Sequence, residues 1–275
     1  HSVKIYADNH ADFSNIARSK AAVLFYKIVW RHMAQMIEPY TTKFYGVLPA
    51  RVDFLKSIYG LPEEKCELLV MGADDEEVER ASAPENQLTV RNKLGISKDD
   101  FLIVTGGKID EWKTQTLLLM EAVHNIDRND IKLLIFGPVS DAIKDRFNKA
   151  FDKNKMNYIS WANTQQSYDY FAIADLVVFP GRHSVYWEQA AGQGKPMLCK
   201  YWEGTTHVDI GGNVEFLKEN SSIEIKKHIL ALIENTEKFE MMKKEAEKQQ
   251  HEKFLYKNIS LISIEQEGNE CFSWK

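Results

Sequence analysis

The 275-residue sequence contains no uninterrupted run of about 18 apolar residues, so no transmembrane helix is expected. It shows no signal-peptide pattern, because His1-Ser2 leads directly into a strand-like stretch. Cysteine is scarce. Cys66, Cys199 and Cys271 are odd in number, far apart and without metal-ligand spacing, which points to a reducing compartment. Excess positive charge is also missing: Lys and Arg total 35 against 40 Asp and Glu, a net charge of −5. No domain-wide basic surface is evident, so nucleic acid is not an expected partner. There are no internal repeats and no low-complexity segments. What is present is ordinary for a soluble globular chain, with 44% hydrophobic and 27% charged residues. The length suits two modest α/β domains.

Residues 1–73 are read as a first domain too small for a complete doubly wound unit. Val3 to Ala7 reads as a core strand already under way at residue 3, where N-termini usually carry some slack. Further strands are expected at 43–48 and 66–71, with a helix at 49–59. A long helix is expected from about Ser14 to Met36, with Ala21, Leu24, Phe25, Ile28 and Val29 at helical spacing. It also carries Arg18, Lys20, Lys27, Arg31 and His32. Such a helix either lies on an anionic membrane or packs with a solvated basic face. The acidic run Asp74 to Glu77 and Pro84 mark a linker.

Residues 74–250 are read as a second domain, and 251–275 as a C-terminal helix and tail that cross back to the first, polar beyond Gln266. From about residue 86 strands alternate with helices. The strands are Phe101–Thr105, Lys132–Phe136, Tyr158–Ser160, Leu176–Phe179 and Pro196–Lys200; the helices are about 114–126, 139–153, 164–173 and 184–192. This alternation implies an α/β fold, a parallel sheet with helices on both faces. A helical region rich in Lys and Glu follows from Ser222 to Phe254.

The stretch Phe179-Pro180-Gly181-Arg182-His183-Ser184-Val185-Tyr186-Trp187-Glu188-Gln189-Ala190-Ala191-Gly192-Gln193-Gly194-Lys195-Pro196 reads as strand, turn, helix, turn. Ser184 is placed to cap the helix, and Gly194-Lys195-Pro196 to end it. A carboxylate at Glu188, just beyond a strand's carboxyl end, suits ribose hydroxyls. His183 either contacts a sugar or phosphate, or fills the loop. Thr105-Gly106-Gly107-Lys108-Ile109-Asp110-Glu111-Trp112-Lys113 also joins a strand to a helix. Gly106 and Gly107 allow close backbone approach, and Lys108 and Lys113 place two cations at one turn, either for phosphate or as a solvated charged turn. Phe136-Gly137-Pro138 and Ser160-Trp161-Ala162-Asn163 end two further strands; Trp161 either stacks on a ligand or belongs to the core. His10 sits in a polar turn, Asp8-Asn9-His10-Ala11-Asp12, whose spacing fits no closed zinc site.

Together these segments resemble the retaining GT-B glycosyltransferases of the glycosyl transferases group 1 type, and the His-Ser-Val-x-Trp-Glu-Gln pattern resembles a bacterial polysaccharide branch of them. The likeness runs over nearly the whole chain and is strongest from about 101 to 200. It implies two Rossmann-like domains, the first incomplete here, as in a chain lacking the start of its N-terminal domain. It implies a nucleoside-diphosphate sugar as donor, with Lys108 and Lys113 on the diphosphate, Glu188 on the ribose, and Gly137, Trp161 and Ala162 in the loops that face the nucleotide. His183 and Ser184 stand at the sugar-contacting loop, and His10 faces the donor sugar from the first domain. The family's first Glu is absent, because Pro180 stands eight positions before Glu188, and Lys108 replaces a common Arg. No Asp-x-Asp metal motif suits the donor site, so no metal or other cofactor is expected. The implied acceptor is a glycan or a lipid-linked glycan, and the implied location is the cytoplasm, peripherally at the inner face of the membrane. The rival readings are a nucleotide-sugar-binding module without catalysis and a sugar-nucleotide epimerase of the same architecture.

Overall fold

The computed structural model describes residues 3–17, 19–250 and 253–264. Arg18, Cys271 and the tail beyond Gln266 lie outside the described residues. The chain divides into two compact units. One holds the residues up to Met71, Trp202–His207 and the segment from Ile259; the other holds Gly72–Tyr201 and Val208–Asn258. The sequence-based division at 73/74 carries no such excursion at 202–207.

In the first unit three parallel strands, β1 (Tyr6–Asn9), β2 (Lys43–Gly46) and β3 (Cys66–Leu68), lie in that order. The expected core strand at 3–7 is instead β1, shifted toward the C-terminus. It is an edge strand among the described residues, with Tyr6 exposed and only Asn9 buried. The expected continuous helix from Ser14 to Met36 is broken into α1 (Phe13–Ile16), α2 (Lys20–Phe25), a wider π turn at Tyr26–Trp30, and α3 (Arg31–Ile37). The cause of the break is local. The Ser19 hydroxyl accepts from the Ala22 N–H at 3.1 Å and starts a new helix there. Helix α4 (Pro49–Phe54) begins with Pro at a position where no N–H is needed, and buries Phe54 against Tyr59 and Tyr26. The 202–207 excursion packs on the start of α4. The Ala50 N–H donates to the Gly204 carbonyl at 3.1 Å, and a Cβ at Gly204 would lie 2.9 Å from the Ala50 nitrogen.

The second unit is a six-stranded, wholly parallel sheet of β4 (Phe101–Gly106), β5 (Ile131–Phe136), β6 (Met156–Ile159), β7 (Leu176–Phe179), β8 (Met197–Lys200) and β9 (Val214–Leu217). Its order is β6-β5-β4-β7-β8-β9, so the direction of winding reverses between β4 and β7. Open parallel sheets bind ligands at such a switch point. Both faces are covered, as the runs of apolar residues in β4, β5 and β7 require. Ile103, Leu133, Ile135, Val178 and Leu198 pack with Leu119, Met120 and Ile229 in one buried cluster.

The linker expected at 74–84 is instead two helices, α5 (Asp75–Ser82) and α6 (Pro84–Lys93). The acidic run is a helix start: the Asp74 carboxylate accepts from the Glu76 and Glu77 N–H groups, and the negative charges suit the helix N-terminus. The remaining α-helices are α7 (Gln115–His124), α8 (Asp141–Ala150), α9 (Thr164–Ala172), α10 (Tyr186–Gly192), α11 (Ser222–Glu234), α12 (Thr236–Gln250) and α13 (Tyr256–Ile264). The single helical region expected from 222 to 254 is thus divided near Asn235. Lys195 ends α9 from outside: its ammonium donates to the Ala172 carbonyl at 2.6 Å and to Ala174 at 3.3 Å. Burial pushes its pKa down to about 8.

The loops after β4 and β5 are bolted together. The Gly107 N–H donates to the Phe136 carbonyl at 3.0 Å, Ile109 to Pro138 at 2.9 Å, and Ser140 back to Ile109 at 2.9 Å. Gly107 and Gly137 both have φ of 123°, outside the reach of most L side chains. A Cβ at 137 would lie 2.3 Å from the Gly107 carbonyl oxygen, whereas one at Gly95, φ 66°, would meet nothing. Gly95→Ala is therefore expected to cost only the left-handed penalty of about 1–2 kcal/mol. Gly137→Ala should cost more, because the loop must also move. Urea denaturation of the two variants measures the difference, and equal losses would show that the loop contact is unimportant.

Candidate functional site

A cleft opens at the carboxyl ends of β4 and β7, lined among others by Gly106, Gly107, Lys108, Lys113, Arg182 and Ser184. Its position follows from register. Ile103 pairs with Leu176 and Val104 with Val177, so β4 and β7 leave the sheet at the same level and their loops face one another. The floor is aromatic. The Phe136 ring lies 2.2 Å from where a Cβ on Gly106 would be, and Tyr186 packs edge-on against Phe136 and Phe171. Glycine at 106 is thus required by the ring beneath it.

The cations of the cleft differ in setting. Lys108 is exposed, with its ammonium 3.2 Å from the Asp110 carboxylate. Lys113 is half-buried; burial pushes its pKa down, Asp110 opposes that, and Arg182 and Lys108 add to it. An ammonium held partly out of water beside two like charges is poised for an anion, whose arrival would relieve both penalties. Arg182, exposed at the end of the β7 loop, is the cleft cation that sequence reasoning did not single out. Its signal was a basic residue directly after the Pro180-Gly181 turn.

Glu188 lies deeper than the cleft surface. Its carboxylate does not stand open to a ligand: the residue is fully buried, and Oε1 lies 2.7 Å from His183 Nε2. His183, itself mostly buried, packs edge-on against Trp187 at 5.2 Å between centroids. The reason is the depth of α10, whose residues from Trp187 to Gly192 are all buried. Ser184 is not the expected hydroxyl cap. The helix begins at Tyr186, and Ser184 contributes its carbonyl, accepting from the Trp187 N–H at 2.9 Å, with no hydroxyl cap.

Of the residues expected at the site, Gly106, Gly107, Lys108, Lys113 and Ser184 are brought together on the cleft wall. Gly137, His183 and Glu188 are not among the residues that line it. Trp161 is 72% exposed, which overturns the core alternative for this residue; Ala162 beside it is half-buried, and neither lines the cleft. His10 lies in the other unit, exposed, with its ring 2.8 Å from the Asp8 carboxylate.

Residues 86–249 match the glycosyl transferases group 1 family. A curated relative, the uncharacterized glycosyltransferase MJ1607 of Methanocaldococcus jannaschii, is 22% identical over 167 residues, covering 59% of this chain. The chain spans 41% of that relative's length. Among solved structures, Anabaena Alr3699/HepE in complex with UDP is similar over 93% of this chain and 70% of its own, with a TM-score of 0.72 at 17% identity. WaaG, a glycosyltransferase involved in lipopolysaccharide biosynthesis, is similar over 93% of this chain and 72% of its own, with a TM-score of 0.67 at 16% identity. These likenesses show the fold, the GT-B arrangement of Rossmann-like domains.

The buried contact between His183 and Glu188 has a measurable energy. Glu188→Gln keeps the shape and removes the charge, and is expected to destabilise the protein by about 1.5–3 kcal/mol, the range for a charged hydrogen bond. His183→Ala should make much of that loss disappear when the two changes are combined. A double-mutant cycle by thermal or urea unfolding reads this coupling. Strict additivity would show that the two side chains are neighbours without mutual stabilisation.

Proposed function

The chain belongs to the glycosyl transferases group 1 family, and on that premise we propose that it moves a sugar from a nucleoside-diphosphate sugar to an acceptor hydroxyl. The observation that carries this reading is the pairing of a glycine-lined backbone with Lys108 and Lys113 at the switch point of a parallel sheet. The nucleoside diphosphate is the leaving group, and its charge grows as the glycosidic bond breaks. Fixed cations and nearby backbone N–H groups stabilise that charge without reorganising, which lowers the barrier. Lys113, already penalised by burial, gains most from the growing charge. No metal is assigned to this step. Retention of anomeric configuration and a place in bacterial polysaccharide or glycolipid synthesis are carried by the motif resemblance of the Trp187-Glu188-Gln189 segment. UDP bound to HepE supports a uridine donor as the first to test.

An acceptor at a membrane is supported by the first unit. Leu24, Phe25, Ile28, Val29, Trp30 and Met33 are exposed, and no Asp or Glu occurs between Phe13 and Ile37, where Lys20, Lys27 and Arg31 lie. An apolar face with cations and no carboxylates suits an anionic bilayer. It fits a lipid-linked acceptor reached from the cytoplasmic face.

Two measurements test these proposals. A thermal-shift panel of UDP, GDP, ADP and dTDP finds the preferred diphosphate, since a ligand of the native state raises apparent stability. Lys113→Ala should then weaken that diphosphate by about tenfold or more while its nucleoside changes little, because a charge-assisted contact contributes about 1.5–3 kcal/mol. Equal losses for both ligands would remove the diphosphate role. Transfer or slow hydrolysis of the matching sugar nucleotide separates an enzyme from a binding module, and an epimerised sugar would mark the rival activity. For the membrane, flotation with phosphatidylglycerol vesicles should carry the protein upward at low salt, and phosphatidylcholine vesicles should not. Flotation that survives Lys27→Glu with Ile28→Glu would locate the contact elsewhere.

A further inference from the structure

We propose that Asp110 is a positioning residue of the diphosphate site: its carboxylate shapes the turn from which Lys113 leaves and is the resident counter-charge of the two lysines. The inference rests on the diphosphate reading above and adds a residue behind the cleft wall. Asp110 follows Ile109, whose N–H donates to the Pro138 carbonyl and whose carbonyl accepts from the Ser140 N–H. Its side chain is only 14% exposed, and it is not among the residues that line the cleft. Three contacts converge on it. Oδ1 accepts from the Trp112 N–H at 3.0 Å, the Asp110 carbonyl accepts from the Lys113 N–H at 3.0 Å, and Oδ2 lies 3.2 Å from the Lys108 ammonium. Residues 110–113 are therefore closed twice, once through the side chain as an Asx turn and once through the backbone.

Charge gives the same carboxylate a second task. Burial pushes the pKa of Lys113 down, and Arg182 and Lys108 add to that; Asp110 is the group that opposes them. Without it the ammonium gives up its proton more readily, and a neutral amine offers a phosphate no charge. Lys108 stays available to a ligand, because its side chain is exposed and an ammonium has three donors. A carboxylate among cations also repels an arriving anion wherever both lysines are charged. The two effects oppose one another, and pH separates them. A residue that merely held the turn would show neither.

Calorimetry on this chain, with the best binder among UDP, GDP, ADP and dTDP, reads the ratio of diphosphate to nucleoside affinity. The range runs from about pH 7 to about pH 10, above the titration of a terminal phosphate at about pH 6. Taking the ratio cancels any titration of the base. In the wild type the ratio should fall as Lys113 loses its proton. Asp110→Asn keeps an acceptor for the Trp112 N–H and removes the charge. Its ratio at the neutral end should not drop below the wild-type value, and its fall should begin at lower pH. Asp110→Ala should show the same early fall and also melt at a lower temperature without ligand, because the side-chain closure of the turn is gone. A fall in Asp110→Asn at the wild-type pH overturns the proposal and leaves the diphosphate reading intact. A wild-type protein that binds diphosphate no better than nucleoside at the neutral end overturns that reading, and this proposal with it.

Discussion

The carbonyl oxygen of Gly107 lies 2.3 Å from where a Cβ of residue 137 would be, and the Phe136 ring lies 2.2 Å from the same point on Gly106. Two strand ends, a ring and two loops occupy a space that side chains would fill elsewhere. The approach bolts the β4 loop to the β5 loop by hydrogen bonds from Gly107, Ile109 and Ser140. It also fixes the height at which Lys108 leaves the sheet and the path by which Lys113 reaches the start of α7. The cation arrangement therefore depends on backbone packing rather than on bonds among the cations themselves. Binding an anion there should need little ordering of the loop, which is what preorganisation means in energetic terms.

The ionised groups divide between wall and foundation. Lys113 is partly withdrawn from water and gains from any anion. Lys108 is exposed, with its ammonium 3.2 Å from the Asp110 carboxylate. His183 Nε2 and Glu188 Oε1 form a buried hydrogen bond near the start of α10. His183 also packs edge-on against Trp187, so the loop before α10 is tied to the first turn of that helix through both side chains. Lys195 does similar work at the far end of that helix by taking the carbonyls of α9.

Much of this was legible in the sequence because parallel strands buried on both faces leave continuous apolar runs. Phe101 to Gly106, Ile131 to Phe136 and Leu176 to Phe179 are such runs, and the Gly-Gly-Lys turn between the first of them and α7 lies on the cleft. What stayed hidden has physical causes. The acidic run at 74–77 looks like a solvated linker until Asp74 is seen capping α5. Ser19 interrupts a pattern whose periodicity continues across it. Strand β9 is short, with Glu215 inside it paired to His228, and offers little apolar contrast. The burial of Glu188 could not be read from spacing, because its depth is set by the apolar residues that follow it in α10. Arg182 was overlooked because a lone basic residue after a turn is usually only solvated.

The excursion at 202–207 gives the two units an entangled genealogy. The connection from β8 to β9 leaves the sheet unit, seats Gly204 on Ala50, and returns, so neither unit is a single stretch of chain. A recombination event with one breakpoint near residue 71 would deliver a foreign first unit together with the native 202–207 segment. Only a partner that accepts Gly204, with its φ of 72°, at the equivalent place could be exchanged without loss. The second unit's choice of companion is limited by six residues that belong, structurally, to the other side.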